Sequence, residues 1–178
     1  IRLSLVGSEM CIRDRFYWYV AVERCDSQYG ELFARVEQQL HAALEAHNAP
    51  LLTMLERQRH FVQMLATKNA ELRVSRDTRP KKIEKLRALL ADRKAGLRTL
   101  DPPLSLPLDP DVCITGVAVE NSTVFKSNLF PWRLEFRVDD DTSTYTVIVK
   151  NGDDLRQDQL VLQLFALMDS LLRDEHLD

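Results

Sequence analysis

Apolar and polar positions alternate at two different periods along this chain. Over residues 29–47, Leu32, Phe33, Val36, Leu40 and Leu44 recur at helical spacing on one side. Asn48-Ala49-Pro50 interrupts them. Proline suits the start of the next helix, where its missing N–H would be unpaired anyway. Over residues 51–72, Leu51, Leu55, Val62, Leu65 and Leu72 follow a near-heptad spacing, with Gln58 and Asn69 as polar breaks. Such a stripe forms either a short coiled coil or an amphipathic helix packed on its own domain. Arg79-Pro80-Lys81-Lys82 reads as a turn, and Ile83, Leu86 and Leu90 as the next stripe.

The period then changes. Four prolines fall within residues 101–110, which predicts an extended connector. Strand-like runs follow at 112–119, 123–127, 132–138 and 144–150. The third alternates cleanly, with Trp132, Leu134, Phe136 and Val138 on one face and Arg133, Glu135 and Arg137 on the other. Residues 139–143 form a polar turn, and connections this short imply an antiparallel meander. After Gly152, Asp153 or Asp154 can cap a helix whose apolar residues, from Leu155 through Leu160, Phe165 and Met168 to Leu172, cover more than half its circumference. That helix should be buried on more than one side. The fold class expected is α+β: helices, then a small antiparallel sheet, then a buried helix.

Composition narrows the classes. The 178 residues are 45% hydrophobic and 29% charged, with net charge −3 and pI about 5.8, which argues against a general nucleic-acid binder. The longest apolar run, residues 16–22, is too short to cross a bilayer. Cys11, Cys25 and Cys113 show no pairing pattern, and the histidines show no metal-ligand spacing with them. Residues 73–98 stand out, with ten Lys/Arg against three Asp/Glu. They form either a solvated face or a patch attracted to anionic lipid or an acidic partner. The aromatic block Phe16-Tyr17-Trp18-Tyr19-Val20 suits packing at a domain junction. Residues 4–15 resemble the translation of a sequencing-library adapter, and residues 1–15 are expected to lie outside the fold proper.

Chemistry concentrates at the last strand-to-helix seam. Ile148 and Lys150 share a strand face. Asp158 lies on the helical stripe Leu155, Asp158, Leu162, Phe165, where a carboxylate needs a partner. Lys150 and Asp158 can satisfy each other, as a structural ion pair or as part of a site. Phe125-Lys126-Ser127-Asn128-Leu129-Phe130-Pro131 joins two strands and lacks the Walker and glycine-rich phosphate-loop patterns.

Lys150-Asn151-Gly152-Asp153-Asp154-Leu155-Arg156-Gln157-Asp158-Gln159, with Met168-Asp169 downstream, resembles the phosphoinositide 3-kinase family. Val124-Phe125-Lys126-Ser127 with Pro131, Leu106-Pro107-Leu108 and Asp158-Gln159-Leu160 are most similar to the class III, vacuolar-sorting type of phosphatidylinositol 3-kinase. The resemblance implies an ATP site. Lys150 reaches the phosphates and Asp158 shapes its surroundings. The loop, through Phe125, Lys126, Ser127, Asn128 and Pro131, covers the phosphates, and Phe125 and Ile148 flank the adenine. Asn128 and Phe130 depart from the Ala and Met that members often carry.

It also implies a parent enzyme that makes phosphatidylinositol 3-phosphate from phosphatidylinositol and ATP with Mg2+, in endosomal and vacuolar sorting and autophagy. That enzyme would be cytoplasmic and peripheral on endosomal or autophagic membranes, and would bind regulatory protein-kinase-like and sorting subunits rather than nucleic acid. The implied division is residues 16–48 as the end of a helical accessory domain, 49–98 as helices leading into the kinase domain, 99–111 as linker, and 112–178 as the truncated kinase N-lobe. The Asp-Arg-His and Asp-Phe-Gly elements needed for transfer are missing from these residues. The piece alone is therefore expected to be inactive. The rival reading is a helical protein-interaction module without a nucleotide site.

Overall fold

A computed structural model describes residues 9–139, 143–152 and 156–175. Its elements are α1 (Glu9–Glu23), α2 (Gly30–Val74), α3 (Arg79–Ala91), a 3-10 turn (Arg93–Ala95), β1 (Leu104–Leu106), β2 (Asp109–Val117), β3 (Thr123–Val124), β4 (Trp132–Val138), β5 (Thr144–Val149) and α4 (Arg156–Asp174). The class is α+β, as expected. The expected cap at Asp153 or Asp154 and most of the 139–143 turn lie outside the described residues.

The chain divides into two compact units. The first draws on residues 1–55, 107–109 and 154–178. Its core is Tyr17, Leu51 and Leu55, with Trp18, Leu40, Leu44 and Met54 around them. The aromatic block is thus only partly core: Tyr17 is buried, whereas Phe16 and Tyr19 are exposed. Helix α1 runs past residue 15 without a break. In α2, Asn48 leaves helical geometry (φ −157°, ψ 62°). Its Oδ1 accepts the Leu51 amide at 3.2 Å, so the predicted interruption is a kink that caps the following turns.

One expectation fails here. The apolar residues of α4, from Leu160 to Leu172, are 40–62% exposed rather than buried. Periodicity identifies side chains that would leave water if a surface met them. It does not supply that surface, and the described residues offer none.

The second unit comprises residues 56–106 and 110–153. Its sheet is organised around β4. One edge of β4 pairs antiparallel with β2 (Val117↔Phe136, Ile114↔Val138) and with β3 (Thr123↔Arg133, Val124↔Trp132). The other edge pairs antiparallel with β5, from Trp132↔Val149 to Arg137↔Thr144. The predicted alternation is realised: Trp132, Leu134 and Phe136 are buried, while Arg133 and Glu135 lie on the half-exposed face. The later turns of α2 and α3 supply Phe61, Leu65, Leu86 and Leu90 to the same core. The rings of Phe61 and Phe136 lie 5.9 Å apart. The stripe of residues 51–72 is therefore packed within its own units, not in a coiled coil.

Three further readings change. The proline-rich segment is more than a connector, because Leu104 and Leu106 of β1 are buried in the core. β1 lies at the end of the sheet order, where flanking prolines break no inner ladder. Arg79-Pro80-Lys81-Lys82 is the first turn of α3, with Pro80 at a helix-starting position where it is well tolerated. The basic run is not simply a solvated face. Arg87 donates to the carbonyls of Glu120 and Ser122, at 2.6 and 3.2 Å, and Arg79 Nε donates to that of Val124 at 2.8 Å. These guanidiniums tie α3 to β3 and to the turn before it. Among the described residues no helix is long and apolar enough to cross a membrane.

Candidate functional site

The start of β4 places two chain segments side by side. Val124, the last residue of β3, pairs with Trp132, and so does Val149, the last residue of β5, from the opposite side. Neighbouring strands lie about 4.8 Å apart, so these two ends are about 10 Å apart. Residues 125–131 leave from one end and Lys150 from the other.

The loop is closed by its own backbone. Phe125 N–H donates to the Pro131 carbonyl at 2.9 Å, Ser127 N–H to Phe125 at 3.1 Å, and Phe130 N–H to Ser127 at 3.0 Å. Pro131 is buried, while Lys126, Ser127 and Asn128 are exposed at the tip. Among the described residues, the amides of Lys126, Asn128 and Leu129 and the Ser127 hydroxyl donate to no protein oxygen. Several N–H groups, a hydroxyl and an ammonium at one tip suit an oxyanion with many acceptor positions. A polyphosphate therefore fits the residues present.

On β5, Tyr145, Val147 and Val149 turn inward, and Ile148 and Lys150 share the open face as predicted. Ile148 is 60% exposed and Phe125 37%. Ile148 pairs in register with Arg133, whose guanidinium lies 3.4 Å from both Glu135 and Thr146. Asp158 is exposed on α4. It belongs to the first unit and Lys150 to the second. No group of three His, Cys, Asp or Glu suited to a metal occurs among the described residues.

The back of this end of the sheet holds residues that sequence reasoning missed. Asn151 Nδ2 donates to the Ala66 carbonyl at 2.9 Å, and Arg73 Nη1 donates to the Asn151 carbonyl at 2.9 Å. Asn69, a predicted polar break, is fully buried and donates to the Phe130 carbonyl at 3.4 Å. The other break, Gln58, donates to the Ser105 carbonyl at 2.8 Å. Lys82 is fully buried too. Its Nζ donates to the carbonyls of Leu72, Arg73 and Ser75 at 2.8, 2.8 and 2.9 Å. Burial pulls this ammonium below its ordinary pKa; the Asp77 carboxylate opposes that and Lys85 adds to it. The signal was present: Lys82, Leu86 and Leu90 recur every four residues, so the lysine stands on the apolar stripe.

Residues 144–178 match the family described as phosphatidylinositol 3- and 4-kinase. The chain is 42% identical over 175 residues to phosphatidylinositol 3-kinase pik3 of Schizosaccharomyces pombe, a match covering 96% of the chain and 21% of that protein. It is 39% identical over 169 residues to phosphatidylinositol 3-kinase VPS34 of Arabidopsis thaliana, covering 90% of the chain and 21% of that protein. VPS34 of Candida albicans is 34% identical over 193 residues, covering 92% and 19%. The chain thus spans about a fifth of the length of the curated relatives it matches.

Proposed function

We propose, from a chain related to the phosphatidylinositol 3-kinases over nearly its whole length, that it forms the roof of the ATP site in a lipid kinase of the class III type. The observation that carries this reading is the shared end of the sheet, where residues 125–131 and Lys150 flank the start of β4. ATP supplies the transferable phosphoryl group. The amides of Lys126, Asn128 and Leu129 and the Ser127 hydroxyl hold phosphate oxygens, and Lys150 draws charge from them. Phe125 and Ile148 offer apolar surface to the adenine. Asp158 would pair with Lys150 and fix its direction. Mg2+ ligands and the group that engages the lipid hydroxyl would come from elsewhere in the enzyme.

The substrate would be phosphatidylinositol in membranes and the product phosphatidylinositol 3-phosphate, made on endosomal or autophagic membranes with regulatory subunits. The chain alone should not turn over. Incubated with ATP and phosphatidylinositol vesicles, it should bind ATP weakly or not at all and form no product. Micromolar binding with lipid phosphorylation would overturn that division of labour. The interaction-module reading is decided by an independent transcript: Asp-Arg-His and Asp-Phe-Gly elements in frame beyond Asp178 favour the kinase, and a confirmed stop codon favours the module. The same transcript shows whether residues 1–15 are adapter-derived.

A further inference from the structure

We propose that Lys82, Asn69 and Arg73 are positioning residues, a brace on the back of the sheet that holds the phosphate loop and Lys150 in one register. The proposal rests on the ATP reading above and adds residues to it.

Lys82 comes first. The last carbonyls of a helix lack amide partners, and Leu72 and Arg73 close α2. Lys82 Nζ takes both, together with Ser75. All three of its N–H groups are thereby used, which is what makes a lysine with 1% exposure tolerable. Helix capping requires nothing further, yet the ammonium also lies 4.0 Å from the ring centroid of Phe130, within cation–π range.

Phe130 is the loop residue in need of support. Its φ is +44°, in the left-handed region that a bulky side chain rarely enters. Such a conformation is strained and persists only where its surroundings over-determine it. Here the ring rests on Lys82, the carbonyl accepts from Asn69, and the amide donates to Ser127. This bend returns the chain to Pro131 and turns the tip outward.

The same helix holds the other segment. Ala66, Asn69 and Arg73 are spaced three and four apart, so they share one face of α2. Ala66 and Arg73 bind Asn151, the residue after Lys150, on either side of the Asn69 contact with Phe130. Arg73 also lies so close to Gly152 (φ +84°) that a β-carbon there would overlap its guanidinium. One rigid helical face therefore sets both groups proposed to meet the phosphates, and Lys82 fixes the end of that helix.

Two variants test this, Lys82→Met and Phe130→Leu. Phe130→Leu leaves the three carbonyl bonds intact and decides the matter where Lys82→Met does not fold. In the 178-residue chain, amide hydrogen exchange at Phe125 and Phe130 should quicken in each folded variant. Unchanged exchange overturns the brace. In the full-length kinase carrying this chain, kcat/KM for ATP should fall about 10- to 100-fold, mostly through KM. A purely structural role would lower kcat with the folded fraction and leave KM for ATP unchanged, which also overturns the proposal. Faster exchange with unchanged kcat and KM would support the brace and overturn the ATP reading instead.

Discussion

Two lysines of one unit meet opposite fates. Lys82 is 1% exposed, with every N–H committed to a backbone carbonyl. Lys150 is exposed at the end of β5, on the same face as Ile148. A buried ammonium must be satisfied by its own chain, so its position is fixed by the fold and its charge is met there by carbonyl dipoles. An exposed ammonium at a strand end is also reached by solvent, so its position is less constrained by the fold. The roles proposed above divide along this contrast, with support from the α2–α3 side and contact from the β5 side.

The largest expected effect breaks the contact side alone. In the full-length enzyme proposed above, Lys150→Met should lower lipid phosphorylation about 10²–10³-fold. Its melting midpoint should stay within the change expected for about 0.5 kcal/mol. Surviving activity would remove Lys150 from the site. A smaller effect sharpens the support side. Ile114, fully buried in β2, lies in the core but outside the brace. Ile114→Val should lower stability by about 0.5–1.5 kcal/mol and leave KM for ATP unchanged, so a raised KM would show that general loosening mimics loss of the brace.

Asp158→Ala should reduce the rate while shifting stability by less than about 1 kcal/mol, because the carboxylate is exposed. A large loss of stability would mean that α4 is buried in the working enzyme. The smallest effect is one of pH. The Asp77 pKa is lowered below 3.8, mainly by its hydrogen bond from Lys85 and then by Ser75. A carboxyl with a depressed folded pKa contributes stability that is present above its unfolded value and lost as pH falls through the folded value. Acid titration of Asp77→Asn should therefore show a shallower loss of stability below pH 3.8 than the parent chain does.

The strands were legible where one face is buried and the other wet. Trp132, Leu134 and Phe136 against Arg133 and Glu135 admit one orientation, because a slip of one residue would bury the charges. That Ile148 and Lys150 share a face followed from the same period of two. The loop was legible only through resemblance, since no glycine pattern marks it. Its free amides emerged only once the bonds among Phe125, Ser127, Phe130 and Pro131 were known. The run from Arg79 to Lys82 was misread because proline and clustered charge signal turns as strongly as they signal helix starts.

By itself, then, the sequence determined the α+β class, the kink at Asn48, the faces of β4 and β5, and the placing of Lys150 on an open face beside Ile148. Local periods and backbone chemistry suffice for these, because each depends on residues a few positions apart. Tertiary structure alone decided that Lys82 is interior, that Asn69 and Gln58 reach loop and strand carbonyls, that Leu104 and Leu106 join the core, and that the apolar face of α4 stands exposed. Each of these depends on what lies opposite a side chain across a distance in sequence. A residue's own preference for water states only whether burial is favourable, not whether a partner surface exists to provide it.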